Sequence, residues 1–180
     1  MALANSAVRF GLLSRTIHWA MAALLIAQLA LGLSLDTLPP GLGSLWYYGM
    51  HKTLGITALA LVVLRILWHR ISPPPAPLGP PVAWEQRAAQ AGHLALYALM
   101  LALPVSGWVA SSASGIDTVI FGALVLPAIA PASEAWETAG FAIHAILGKA
   151  LIALLILHML GAIKREIGGD GTLSRMLRGR

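Results

Sequence analysis

GFAIHAILGKALIALLILHMLGA, residues 140–162, is apolar enough to live in a bilayer, yet it carries two histidines, His144 and His158. A run of about 20 such residues, rising roughly 1.5 Å each, crosses a hydrocarbon core of about 30 Å once. Ionisable side chains at that depth are costly unless they have a role. The histidines stand fourteen residues apart. At about 100° and 1.5 Å per residue, that step leaves them roughly 40° apart in direction and roughly 21 Å apart in height. They share one helix face and lie near opposite leaflets.

The rest of the chain has the same character. Of its 180 residues 58 % are hydrophobic and only 11 % charged, against roughly 25 % charged in a soluble domain. Four apolar stretches are long enough to span, residues 17–35, 52–68, 91–113 and 139–163. The reading is an all-α integral membrane protein, a four-helix bundle forming a single domain over residues 1–180. A fifth apolar run, residues 119–131, is too short and contains Gly122, Pro127 and Pro131, so it is expected at the interface or folded back over the bundle. SPPPAPLGPP, residues 72–81, reads as a stiff surface linker. Pro104 should kink the third span, and Trp19, Trp46, Trp68, Trp84, Trp108 and Trp136 fall near span boundaries as interfacial anchors.

The net charge of +5 is a topology signal and does not point to nucleic acid. Arg9 and Arg15 precede the first span, Arg65, Arg70 and Arg87 flank the second loop, and Lys164, Arg165, Arg175, Arg178 and Arg180 follow the fourth. The other two loops hold Asp36, Asp117, Glu134 and Glu137, with Lys52 at an edge. By the positive-inside rule both termini are cytoplasmic. The first span is longer than a signal-peptide core and lacks a convincing cleavage site, so it is expected to be retained. With zero cysteines there is no thiolate cluster and no covalent haem; a redox centre would have to hang on histidine.

Helices two and four share a pattern: HKTLGITALALVVLR from His51 to Arg65, and HAILGKALIALLILH from His144 to His158. Both run from outside to inside, which puts His51 and His144 at one depth. Two stacked haems, one near each end of a bundle, suit this separation. A six-coordinate iron needs two axial ligands, and depth pairs His51 with His144 for the outer haem and His18 with His158 for the inner one. Gly55, Gly148 and Gly161 would let a flat macrocycle approach. A lone intramembrane histidine can simply bond a backbone carbonyl, but four at matched depths are costly without a role. His69 reads as a headgroup-level residue. His93 competes with His18 at the inner level, or bonds a propionate or quinone carbonyl. Arg15 and Arg65 could each pair a haem propionate, or serve only as loop charge. Lys149 should face away from the haem seam, either snorkelling or lining a separate polar site.

The chain resembles the bacterial cytochrome b561 family, whose fold is similar to the membrane b-type subunits of nickel hydrogenases and formate dehydrogenases. The resemblance rests on RTIHW (15–19), HKTLG (51–55), LPVSGW (103–108) followed by SSASG (111–115), the His144 and His158 pair, and DGTLSRML (170–177). It implies four transmembrane helices holding two non-covalent b haems, with the ligand pattern falling on His18, His51, His144 and His158. It also implies electron transfer in the inner membrane between an outer-side donor and ubiquinone, with superoxide as the donor in at least one member type. Positive potential steers an anionic substrate, and the acidic outer loops keep a different donor, or a redox partner protein, open. Two other readings stand beside a quinone-linked oxidoreductase. One is an electron-conducting subunit of a larger dehydrogenase or hydrogenase; the other is a haem-free histidine-based transporter.

Overall fold

The computed structural model describes residues 2–39, 41–78 and 83–179. Gly79, Pro80 and Pro81 of the proline-rich linker and Arg180 of the basic tail lie outside the described residues. Four long helices, α1 (Leu12–Leu35), α2 (Leu42–Ile71), α3 (Ala83–Ala113) and α4 (Glu134–Ile167), are each long and apolar enough to cross a membrane. All begin before their expected spans, because hydropathy marks only the part that crosses hydrocarbon. α2 starts at Leu42, and its added first turns carry the exposed aromatics Trp46, Tyr47 and Tyr48, which suit headgroup depth. Pro104 lies inside α3 without ending it.

Among the described residues the strands form one small hairpin, β1 (Thr118–Ile120) paired antiparallel with β2 (Leu124–Leu126). It resolves the short apolar run, which folds back over the ends of α2 and α3. Phe121 and Gly122 turn the chain with positive φ of 52° and 66°. The Phe121 amide donates to Thr53 Oγ1 at 3.2 Å and Lys52 Nζ to the Asp117 carbonyl at 3.0 Å. Trp108 Nε1 donates to the Pro127 carbonyl at 3.1 Å, tying the descending strand to α3.

The opposite end gathers both termini and the linker. Asn5 bonds the end of α2, its amide donating to Ser72 Oγ and its Nδ2 to the Ser72 carbonyl, both at 2.8 Å. A short helix, α5 (Thr172–Arg178), lies against α1: Arg15 donates to the Met176 and Leu177 carbonyls and Trp19 to the Met176 carbonyl. Arg175 is buried, donates to the Ala76 carbonyl at 2.8 Å and stacks on Phe10. The bonds to Ser72, Met176 and Leu177 satisfy helix-end carbonyls that would otherwise be orphaned.

The apolar core is a single cluster of Met21, Leu25, Ala58, Val62, Leu96, Met100 and Leu151, drawn from all four long helices. Leu151, fully buried, stands seven residues from each of His144 and His158. The core is therefore a belt between two histidine levels. α1 packs on α2, α2 on α3 and α3 on α4, whereas α4 approaches α1 and α2 only sparsely.

Candidate functional site

The fourteen-residue spacing of α4 recurs on every long helix. Gly32 follows His18, Arg65 follows His51, Gly107 follows His93 and His158 follows His144 by that interval. Because α1 and α3 run opposite to α2 and α4, two levels form. Gly32, His51, Gly107 and His144 make the level near the hairpin; His18, Arg65, His93 and His158 make the one near the linker.

At the hairpin level the His51 and His144 rings face one another across the gap between α2 and α4, centroids 6.0 Å apart and planes at 83°. Each leans on a glycine of the next helix. A Cβ at Gly32 would sit 2.9 Å from His51 Cε1, and one at Gly107 would sit 2.9 Å from His144 Cε1, closer than carbon atoms pack. His144 Nδ1 lies 3.0 Å from the Leu103 carbonyl and 3.1 Å from Ser106 Oγ. The carbonyl can only accept, so it draws the imidazole proton to Nδ1 and leaves Nε2 with a free lone pair. His51 Nδ1 is buried and has no hydrogen-bond partner among the described residues. Gln28, buried on α1, donates from Nε2 to the His51 carbonyl at 2.8 Å and fixes the backbone beneath the ring.

At the linker level His18 and His158 lie 6.3 Å apart by ring centroid, from α1 to α4. His93, on α3, is 5.4 Å from His158 but is itself exposed, whereas His18, His51, His144 and His158 are partly buried. Arg65, His69, His93 and His158 all lie near His18. Arg65 Nε donates to Tyr97 Oη at 2.9 Å, and its Nη1 is buried without a hydrogen-bond partner among the described residues.

The seven residues singled out from sequence thus divide cleanly. The structure brings His51 together with His144, and His18 and His93 with His158, and sets Arg65 beside the latter group. Arg15 stands one turn from His18 but spends its guanidinium on the α5 carbonyls. Lys149 is exposed on α4. The glycine expectation shifts: a Cβ at Gly55 would meet Gln28 Nε2 at 3.2 Å, Gly148 has only Leu103 Cδ1 at 4.0 Å and Gly161 nothing within 4 Å. The glycines that admit imidazoles are Gly32 and Gly107. Sequence reading also passed over Gln28, Tyr97 and Ser106; a lone glutamine in an apolar span was the one available signal.

Among the described residues no three His, Cys, Asp or Glu side chains converge to hold a metal ion. The donor set is instead pairs of imidazoles, suited to a metal whose remaining positions are filled by its own macrocycle.

Two known proteins match the chain over nearly its whole length. The chain is 38 % identical over 182 residues to cytochrome b561 homolog 2 of Escherichia coli (strain K12), covering 98 % of this chain and 95 % of that one. It is 28 % identical over 170 residues to the probable superoxide oxidase CybB of Yersinia pestis, covering 94 % and 96 %. Cytochrome b561 homolog 1 of Escherichia coli (strain K12) matches at 38 % over 85 residues, about half of each chain. The family model described as prokaryotic cytochrome b561 matches residues 9–179, and the chain belongs to that family of haem b-binding membrane electron-transfer proteins.

Proposed function

We propose that the protein is a dihaem b-type electron-transfer protein of the bacterial inner membrane, one domain over residues 1–180 with both termini cytoplasmic, passing electrons from an outer-side donor to ubiquinone. The observation that carries this is the pair of imidazole gaps. Two metal–imidazole bonds of about 2 Å each, plus two ring radii, require centroids roughly 6 Å apart. The His51–His144 and His18–His158 distances of 6.0 and 6.3 Å meet that requirement. The sparse approach of α4 to α1 and α2 supports the same reading, as do the uncrowded surfaces at Gly148 and Gly161.

When bound, haem supplies one-electron chemistry at a potential set by ligands, hydrogen bonds and burial. The chain's own residues do the rest. The Leu103 carbonyl and Ser106 orient His144 and raise its basicity, as outer partners of metal-bound imidazoles do. Gln28 steadies His51 from the backbone side, and the free Nη1 of Arg65 suits a propionate at the linker level. His18 is the favoured fourth ligand, since 5.4 Å is short for His93 and α3 already packs directly on α4. The core belt around Leu151 keeps water out between the levels.

Superoxide is a candidate donor, supported by the name of the Yersinia pestis relative. Lys52, next to His51, offers a local cation, while Asp36, Asp117, Glu134 and Glu137 oppose it. The test of the whole reading is a visible spectrum with haem extraction from the purified protein. Two b haems per chain are expected; a colourless protein overturns the reading. His18→Ala should then retain one haem and His93→Ala two, and the opposite outcome assigns the inner ligand to His93.

A further inference from the structure

One cation of this chain stands at a depth where a bilayer offers it no company. Lys149 lies on α4 two residues, roughly 3 Å, from Leu151, the buried residue midway between the two histidine levels. Its face is the outer one. Gly140 points at α3, since a Cβ there would meet the Ala110 Cβ at 2.9 Å. Lys149 follows nine residues later, roughly 180° round the helix. His144, Leu151 and His158 likewise stand roughly 140–180° away from it. The side chain is exposed, on a surface made by Ala142, Ala145, Ile146, Ala153 and Ile156, all exposed as well.

An ammonium has three donors and no acceptor, and at that depth it is costly without a partner. An extended lysine reaches about 6 Å, under half of the roughly 15 Å from midplane to headgroups, so snorkelling alone does not bring it to water. Nor does the chain answer it. The ion pairs among the described residues are Lys164–Glu85 and Arg165–Asp170. The seven acidic residues are Asp36, Glu85, Asp117, Glu134, Glu137, Glu166 and Asp170, and each stands in the first or last turn of a helix or beyond it. On α4 the nearest, Glu137, is twelve residues or roughly 18 Å away. A second copy of the chain therefore brings no carboxylate to this depth, and the occupant has to be a different chain. The alanines say what shape it has. Ala145 and Ala153 stand one turn from Lys149 and Ala142 two, removing bulk beside it, as small residues do where a transmembrane helix packs closely.

We propose that the lipid-facing side of α4 docks a transmembrane helix of another membrane protein, one that carries an Asp or Glu at mid-bilayer depth and pairs it with Lys149. The pair stands on the opposite side of α4 from the imidazoles, so it anchors a partner without entering either histidine level. This goes beyond the electron-transfer reading and does not depend on it.

Ala153→p-benzoylphenylalanine, one turn from Lys149, is photo-cross-linked in the native membrane and the adduct identified by mass spectrometry. Haem content and visible spectrum are recorded for every variant. The expected adduct is a transmembrane peptide of a different protein with an Asp or Glu near its middle. In that background Lys149→Leu should cut the yield about three- to tenfold, the size of an interhelical polar bond in hydrocarbon, and Lys149→Arg should keep it. Lys149→Glu should abolish it, and changing the partner's carboxylate to lysine should then restore it. Because Lys149→Leu makes α4 more apolar, insertion is not at stake, and haem content should stay unchanged. An adduct with a second copy, with lipid or quinone alone, or with a helix lacking a mid-depth carboxylate overturns the proposal, as does the absence of any adduct. So does a yield that Lys149→Leu leaves unchanged, and loss of haem in Lys149→Leu would assign the lysine to the histidine seam instead.

Discussion

A single carbon atom at Gly107 decides whether His144 can stand where it does. The Cβ of alanine there would lie 2.9 Å from the ring's Cε1 and 3.0 Å from its Nδ1, and that ring is pinned on its other side by the Leu103 carbonyl and Ser106. An overpacked site of this kind costs about 1–3 kcal/mol, and the imidazole can yield only by breaking its Nδ1 bonds. Gly107→Ala should therefore lower retention of the haem proposed between His51 and His144 by half or more and reduce thermal stability. Gly43→Ala, in the first turn of α2 with nothing within 4 Å, should lower neither. Haem counts on the two purified variants check this; equal counts would show that His144 does not need its present position. The histidine depths were legible in the sequence because a fourteen-residue step along one helix fixes both height and direction. Gly32, Gly107 and the Gln28 bond to the His51 carbonyl were not, since they depend on how two helices turn toward one another. No spacing along one chain segment encodes that rotation.

Among the elements, the four long helices were readable from hydropathy, while α5 and the hairpin were not. Strands of three residues are below any periodicity signal. α5 has seven residues, too few to be stable alone, and exists through its docking. That docking is electrostatic at its start. Arg165 Nε lies 2.7 Å from Asp170 Oδ2, and Asp170 Oδ1 accepts the Thr172 amide at 2.9 Å. Partial burial works against the charged Asp170 carboxylate, but the Thr172 hydrogen bonds and Arg165 outweigh it and hold its pKa below the ordinary 3.8. A depressed carboxylate pKa contributes stability above the unfolded value, and that contribution is lost as pH falls through the folded one. α5 should accordingly be docked at neutral pH and loosen below about 3.8. Asp170→Asn should loosen it already at pH 7, by about 2- to 5-fold in amide exchange over residues 172–178, the size expected of a partly exposed pair. Hydrogen exchange by mass spectrometry reads both effects, and an Asp170→Asn profile identical to wild type would remove Asp170 from the docking.

For the molecule as a whole, charge and architecture point the same way. The linker end collects Arg9, Arg15, Arg70, Arg87, Lys164, Arg165, Arg175 and Arg178, and the structure brings the termini, the linker and α5 together there. Asp36 and Asp117 follow α1 and α3 at the hairpin end, and Glu134 and Glu137 stand in the first turn of α4 there. Basic loops close to membrane spans stay on the cytoplasmic side, so the His51–His144 level should face outward and the His18–His158 level inward. Orientation can be measured directly because the chain has no cysteines of its own. Leu124→Cys places a thiol on the exposed hairpin and Arg178→Cys one on the exposed end of α5. A membrane-impermeant maleimide applied to intact spheroplasts should label the first and spare the second, and permeabilisation should make the two equal. Labelling of Arg178→Cys alone in intact spheroplasts would invert the molecule, moving the donor side to the opposite face from that argued above.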